Sequence, residues 1–202
     1  MSPVIKPTPI QREIWDQRFS LREALCAQYP LFLHETDAAS LPDIAREGLQ
    51  ARNPGTAQED ALIRALGHTS GEMLCLHPLS SLPVGSTKSG PFALLAILPA
   101  DISKAVTIDW THANGWKLAE IIRQDDPNLS AEQIFLRVVQ GRGSVALLET
   151  IAPSRLFVLC GQPTQLRWEP LLPTPRDALV YHDTGSQLDP AKSVTLPTPS
   201  PA

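Results

Sequence analysis

The sequence predicts a mixed α+β domain, and three observations lead to that class. Candidate helices cluster early and late in the chain, and short apolar runs typical of strands are scattered between them. Helices and strands do not alternate regularly, which argues against a parallel βαβ sheet. The chain has 202 residues, of which 43% are hydrophobic, enough for one domain with a full core.

Capping residues and apolar spacing define the helices. Ser20 with Glu23, Thr56 with Glu59 and Ser130 with Gln133 each match a capping box, in which two side chains satisfy the first backbone donors of a helix. The predicted helices are 11–29 (a helix pair or one broken helix), 41–48, 56–67, 111–123 and 130–140.

Short apolar runs define the strands, which are 31–33, 73–76, 92–98, 105–108, 145–148 and 156–160, with 166–168 as an edge strand. From residue 171 onward the chain is rich in Pro, Ser and Thr and has few periodic apolar residues. We therefore expect an N-terminal extension over 1–19, one domain over 20–170, and a mostly extended or disordered tail over 171–202.

Charge and cysteine usage restrict the function classes. The net charge of −4 provides no global basic field for nucleic acid or an anionic membrane. The three cysteines, Cys26, Cys75 and Cys160, lie far apart in apolar runs, which favours buried thiols in a reducing compartment. No apolar run approaches the roughly 20 residues of a membrane span, and the N-terminus has no signal-peptide core. The sequence thus predicts a cytoplasmic protein without a membrane partner.

Residues 31–49 contain the most informative pattern. His34 and Thr36 follow a short apolar strand, and their spacing of two points both side chains the same way. A short helix follows, with Ser40 as N-cap and Gly48 at its C-terminal end. An imidazole and a hydroxyl beside a helix start suit a polar small molecule. The alternative is a structural histidine and a threonine that only supports the turn.

The full pattern resembles the opening of the ADP-ribosyltransferase fold, and it consists of His34, Thr36, Leu41, Ile44, Gly48 and Leu49. It is most similar to DarT-type DNA ADP-ribosyltransferases, with RNA 2'-phosphotransferases and PARP-like enzymes as more distant relatives. The resemblance implies a split β-sheet core with flanking helices and NAD bound in a cleft between the split sheets. It also implies that His34 contacts the nicotinamide ribose of NAD and that Thr36 supports His34.

A second segment, 151–156, resembles the Ile-x-Pro-x-x-Ile/Leu segment that follows the catalytic glutamate of this superfamily. Cleavage of NAD passes through a cationic ribose, so an anion must lie near it. Glu149 is the only acid near the segment, but the acid of relatives falls where this chain has Ser144. Either Glu149 is the catalytic acid, or it is a solvated turn carboxylate and the usual acid is missing. Glu169 is a poorer candidate.

Other positions of the family pattern match less well. Arg64 lies about one helix after His34, where DarT-like enzymes place an arginine that helps hold the cofactor, and a guanidinium suits a pyrophosphate. Arg52 competes for that role, and a solvated Arg64 is the alternative. His77 or Ser80 occupies the middle position of the pattern, where a PARP-like pocket has tyrosine. The histidines are too scattered to predict a metal site.

We therefore expect an NAD-dependent ADP-ribosyltransferase that modifies a nucleic acid or a protein. A toxin or effector role, with an inhibitor or antitoxin protein as partner, fits that chemistry by family analogy. One alternative is a catalytically inactive relative that binds a protein or nucleotide, and Ser144 at the expected acid position favours it. The other is an RNA 2'-phosphotransferase, which needs a set of basic residues that the early helices do not supply.

Overall fold

The structure is a computed structural model that describes residues 6–51, 57–68, 73–78, 91–108, 115–142, 144–162 and 165–180. Within these residues the predicted α+β class is confirmed: an antiparallel sheet is flanked by helices. The helices are α1 Pro9–Asp16, α2 Arg18–Gln28, α3 Leu41–Glu47, α4 Ala57–Ala65, α5 Gly115–Asp125 and α6 Ala131–Arg142. The strands are β1 Phe32–Asp37, β2 Leu74–Pro78, β3 Phe92–Ile97, β4 Val106–Ile108, β5 Val145–Leu147, β6 Phe157–Gln162 and β7 Gln165–Pro170.

The strands follow the order β4-β5-β2-β1-β3-β6-β7, and every neighbouring pair is antiparallel. Each of them overlaps a predicted strand, and β7 lies at an edge as expected. Contacts divide the chain into two compact units. The first comprises 1–28, 51–76 and 103–149, and the second comprises 29–50, 77–102 and 150–202.

The first unit buries its N-terminal helix. Ile14 and Trp15 of α1 are 0% and 4% exposed, so residues 9–16 of the predicted extension belong to the core of this unit. The guanidinium of Arg123 on α5 donates to the Glu13 carboxylate at 2.9 Å and fixes α1 against α5. Ile10 is buried as well, at 4% exposure, and buried apolar area is the main favourable term in folding, so this helix stabilises the unit through its apolar face.

One predicted capping box is confirmed and another is wrong. The Ser130 backbone N–H donates to Gln133 at 2.9 Å, and the Gln133 backbone N–H donates back to the Ser130 hydroxyl at 3.2 Å. Ser20, by contrast, lies inside α2, and its hydroxyl donates to the Gln17 carbonyl at 2.9 Å. The chain already turns at Gln17, where the predicted helix pair divides, so the second helix begins before Ser20. Thr56 lies outside the described residues.

The second unit is built on β1. This strand pairs with β3 along its whole length, from Phe32–Ile97 to Asp37–Phe92. One face of the strands carries a hydrophobic cluster of buried residues, namely Leu31, Leu33, Phe92, Leu94, Ala96, Leu159 and Trp168. Alternation along β1 therefore puts the side chain of Leu33 on the cluster side and the side chains of His34 and Thr36 on the opposite face.

Part of the predicted tail lies against this unit. The Leu171 N–H donates to the Leu156 carbonyl at 2.9 Å, and Ala178 forms an antiparallel bridge with Cys160. Leu171 is 0% exposed and so belongs to the core. Residues 181–202 of the predicted tail lie outside the described residues.

Candidate functional site

His34 and Thr36 lie within β1, not past its end. The expected strand of 31–33 is too short because β1 continues to Asp37, and the pairing of Thr36 with Ala93 and of Asp37 with Phe92 keeps the backbone extended. Those partners are more than fifty residues away in sequence, so local composition does not indicate them. Both side chains remain on one face of the strand, two residues apart, as expected.

The residues that stand opposite this pair on β3 are apolar. His34 stands opposite Leu95 and Thr36 opposite Ala93, and both partners on β3 are 0% exposed. Thr36 is itself only 6% exposed, whereas His34 is partly exposed. An imidazole that reaches solvent beside a buried hydroxyl, on a strand fixed by pairing, is suited to contact a ligand that also covers the threonine.

The helix after the strand begins differently from expectation. Residues Ala38–Ser40 form a 3₁₀ turn that runs directly into α3, and Ser40 makes no capping hydrogen bond with its side chain. The Leu41 N–H is instead satisfied by the Ala38 carbonyl. Asp43, in the first turn of the helix, accepts a hydrogen bond from the Arg46 guanidinium at 2.7 Å. Ser40 therefore occupies the predicted N-cap position before Leu41, but its side chain does not cap the helix.

The end of α3 matches the expectation and makes a long-range contact. Gly48 has φ +85°, and its N–H donates to the Ile44 carbonyl at 2.8 Å. A Cβ at this position would lie 2.5 Å from the Ile151 carbonyl oxygen, so only glycine fits. The next residue, Leu49, exchanges two main-chain hydrogen bonds with Ile151, at 2.8 and 3.0 Å. The two segments that carry the family resemblance, 31–49 and 151–156, are thereby joined inside one unit.

Glu149 is a buried anchor of a loop. Strand β5 ends at Leu147, and Glu149 follows it at 5% exposure, so the alternative of a solvated turn carboxylate is wrong. Its Oε1 accepts hydrogen bonds from the backbone N–H groups of Ser103 and Lys104, both at 3.1 Å, and its Oε2 accepts from the Ser103 hydroxyl at 2.8 Å. Three donors balance the loss of hydration that burial imposes on a carboxylate. Its predicted catalytic role stays a prediction.

Ser144, which stands where the resemblance implies an acid, is also buried. Ser144 is 1% exposed, and its hydroxyl oxygen has no hydrogen-bond partner among the described residues. Thr107 on β4, at 0% exposure, is in the same situation. A buried hydroxyl costs less than a buried carboxylate when it lacks partners, which is consistent with serine at this position in the core.

Arg64 is exposed on α4 and pairs along its own helix. Its Nε lies 2.7 Å from the Asp60 carboxylate, and 54% of the Arg64 side chain is exposed. The hydrogen bond that Arg64 donates to the Asp60 carboxylate raises the pKa of Arg64, so the guanidinium remains charged. Its role as a cofactor ligand is neither supported nor opposed by this local pair. Arg52 and Ser80 lie outside the described residues.

The two remaining candidates, His77 and Glu169, lie on strands. His77 lies on β2 opposite Leu33, and Glu169 lies on β7, where it accepts a hydrogen bond from Arg167 at 2.8 Å. Among the predicted site residues, His34 and Thr36 belong to the second unit, whereas Arg64 and Glu149 belong to the first. Sequence reasoning missed Ser103 and Lys104 as partners of Glu149, because nothing in their local pattern distinguishes them from an ordinary loop.

Neither a metal-binding cluster nor a membrane-spanning helix occurs among the described residues. In them, no three His, Cys, Asp or Glu side chains approach closely enough to hold a metal ion. None of the helices that the structure describes has the length and apolar character needed to span a membrane.

No family model, no curated protein and no solved structure matches this chain.

Proposed function

We propose that this protein is an NAD-dependent ADP-ribosyltransferase, in which His34 and Thr36 hold the nicotinamide ribose. The acceptor is a macromolecule, either a nucleic acid or a protein. A toxin or effector held in check by an inhibitor protein is the setting that this chemistry suits by family analogy.

The observation that carries the proposal is the junction of Leu49 with Ile151. The segments 31–49 and 151–156 each resemble a different part of the ADP-ribosyltransferase pattern, and about one hundred residues separate them. Two chance resemblances would have no reason to be hydrogen-bonded to each other. The mutual hydrogen bonds of Leu49 and Ile151, and the glycine that permits the close approach, give the two matches one structural context.

The strand arrangement gives further support. The strands pair in two sets, β4-β5-β2 and β2-β1-β3-β6-β7, with β2 common to both. Such a division is compatible with the split core that the resemblance implies. In the second set, His34 and Thr36 share one face of β1, away from the hydrophobic cluster that contains Leu33.

In the proposed reaction, the bond between C1' of the ribose and the nicotinamide nitrogen breaks. Nicotinamide leaves as a neutral ring with the bonding electron pair, and positive charge develops on the ribose. A nucleophilic oxygen or nitrogen of the acceptor then bonds to C1' and loses its proton to solvent. His34 and Thr36 orient the ribose, and such positioning lowers the entropic part of the barrier.

Glu149 is the proposed catalytic acid, because it is the acid closest in sequence to segment 151–156. Its two oxygens already accept hydrogen bonds from Ser103 and Lys104. Oε2 accepts only one of these bonds, so the carboxylate retains capacity for a further donor. An anchored carboxylate is also compatible with stabilisation of the cation at longer range, since buried charges are poorly screened.

The same anchoring favours a second candidate function, a catalytically inactive relative that binds a protein or a nucleotide. In that case Glu149 only fixes the 103–104 loop, and His34 and Thr36 contact a ligand that is not cleaved. The RNA 2'-phosphotransferase alternative gains no support, because Arg46, Arg64 and Arg167 are each paired with nearby carboxylates.

The test is incubation of the purified protein with NAD labelled in the adenylate moiety and with a cell extract, followed by nuclease or protease. We expect nicotinamide release and label on material that one of the two enzymes removes. Nuclease sensitivity identifies a nucleic-acid acceptor, and protease sensitivity identifies a protein. NAD binding by calorimetry without nicotinamide release would establish the binding-only function, and absence of binding would exclude both.

A further inference from the structure

The C-terminal segment of the second unit takes over the pairing of β6 where β3 leaves it. Strand β3 pairs with β6 at Leu95–Val158 and Ala96–Phe157. Continuation of that register would place Ala93 beside Cys160, because antiparallel partners advance in opposite directions. Cys160 instead forms an antiparallel bridge with Ala178. Residues 177–179 thus occupy the position along β6 that β3 would otherwise fill.

Among the described residues, few interactions hold this segment. The Gly161 N–H donates to the Asp177 carbonyl at 3.2 Å, and the Leu179 N–H donates to the Leu159 carbonyl at 2.8 Å. Arg167 donates to the Asp177 carboxylate at 2.6 Å, but the two side chains are 49% and 52% exposed. The Leu179 side chain packs against the hydrophobic cluster and is only partly buried. The pairing of β6 with β7, by comparison, extends from Phe157–Pro170 to Gln162–Gln165.

We propose that residues 177–179 form a detachable strand, which closes the gap between β3 and β6 and is released without unfolding of the second unit. Elements with few buried contacts and exposed hydrogen bonds open locally, at a lower free energy than the whole fold. The inference does not depend on the proposed function.

Release of the strand would alter the face that carries Thr36. Ala178 shares the face of Cys160, and by register this is also the face of Ala93 and Thr36. Opening would uncover the Leu159 carbonyl and the Gly161 N–H and leave that face without one of its small residues. The segment is therefore a conformational device at the edge of the face on which His34 and Thr36 lie.

The pairing offers a covalent lock that tests this directly. Because the hydrogen bonds are made by the flanking residues, Cys160 and Ala178 form a non-hydrogen-bonded pair, for which the Cα atoms lie about 4.5 Å apart. That separation allows a disulfide. The variant Ala178→Cys, oxidised with glutathione disulfide at mildly alkaline pH, should join residue 178 to Cys160. The double variant Cys160→Ser/Ala178→Cys is the matched control, since it cannot form this bond.

Hydrogen exchange of single amides is the measurement. The amides of Val158 and Cys160 point towards β7, whereas that of Gly161 bonds the C-terminal segment. After correction for intrinsic rates, we expect Gly161 to exchange at least about tenfold faster than Val158 in the natural protein. The disulfide should slow Gly161 by about tenfold, and reduction should restore the original rate. The control should show no redox dependence.

A second variant tests the proposal without a disulfide, in case oxidation is slow. Leu179→Ala removes the only apolar side chain of the segment that packs on the cluster and should accelerate exchange of Gly161 severalfold, with Val158 unchanged. Equal exchange rates of Gly161 and Val158 in the natural protein would overturn the proposal. So would a disulfide that forms but leaves Gly161 unchanged, or a Leu179→Ala protein in which Gly161 and Val158 accelerate together.

Discussion

Glu149 in the first unit and the His34–Thr36 pair in the second are both polar groups in apolar surroundings, and they are supported in different ways. The carboxylate of Glu149 is held by three donors from one short loop. For His34 and Thr36, the main chain is fixed by pairing with β3, and the side chains project from a rigid strand. A buried carboxylate needs hydrogen-bond donors from the protein to remain ionised. A strand can project polar side chains while its backbone N–H and C=O groups are hydrogen-bonded to the neighbouring strand.

The largest expected loss of stability comes from a substitution at Gly48 in the second unit. In the variant Gly48→Ala, the added methyl group meets the Ile151 carbonyl, and φ +85° with ψ 173° lies in a region almost confined to glycine. We expect a loss of about 2–4 kcal/mol in the free energy of unfolding, measured by urea denaturation.

Gly67→Ala is the matched control for that experiment. Gly67 also has a positive φ, +99°, but a Cβ there meets no atom within 4 Å. Only the backbone strain remains, so the cost should be about 1–2 kcal/mol. Equal losses for the two variants would show that the approach of Gly48 to Ile151 is not tight.

The next effect concerns the anchor in the first unit. Glu149→Gln keeps one oxygen for the backbone N–H groups of Ser103 and Lys104 but places an amide against the Ser103 hydroxyl and removes the charge that strengthens all three hydrogen bonds, so we expect a loss of about 2 kcal/mol in the free energy of unfolding. Under the proposed function, the variant binds NAD and does not transfer ADP-ribose. Unchanged transfer activity would remove Glu149 from the mechanism.

Glu169→Gln controls for the loss of a carboxylate as such. Glu169 is a partner of Arg167 on β7 with a side chain that is 40% exposed, and a surface substitution of this kind changes stability by less than about 0.5 kcal/mol. A similar loss in both variants would contradict the anchoring role of Glu149.

A smaller effect is expected for the strand pair. His34→Ala removes a partly exposed imidazole and should weaken NAD binding at least about tenfold, or about 1.4 kcal/mol, as measured by calorimetry. Glu35→Ala, which changes the opposite face of β1, should leave the affinity within about twofold. Equal loss in both variants would indicate damage to the strand and not to a ligand contact.

The smallest effect concerns pH. The hydrogen bond from Arg167 holds the pKa of Asp177 below its ordinary value, so the ionised form is favoured in the folded protein. Its stabilising effect is therefore fully present above the ordinary aspartate pKa, about 3.9, and is lost as the pH falls through the lower folded-state value. The difference in melting temperature between the natural protein and Asp177→Asn should be small at pH 7 and vanish at low pH.

Local patterns predicted the elements well and their partners poorly. The capping box of Ser130 and Gln133 is a contact between residues three apart, so the sequence contains it completely. The failure at Ser40 has a local cause, since a 3₁₀ turn before the helix already satisfies the Leu41 N–H. The full length of β1 was not predictable in this way, because β3 determines it.

Candidate site residues show the same division. The shared face of His34 and Thr36 follows from the period of a strand and was predictable. The environment of Glu149 was not, because Ser103 and Lys104 lie some forty-five residues earlier in the chain. The pairing of Ala178 with Cys160 was not predictable either, because Ala178 lies in a region rich in proline, whose composition does not indicate pairing with a strand.

Cys160 provides a natural reporter of the second unit. The thiol is 0% exposed, and burial together with the neighbouring Asp177 raises its pKa to about 11. Because only the thiolate reacts with alkylating reagents, Cys160 should stay unlabelled in the folded protein at neutral pH. Cys26 and Cys75, both in the first unit, are partly exposed. The delay between labelling of those two thiols and labelling of Cys160 would then measure, without any engineered probe, how often residues 177–179 leave Cys160.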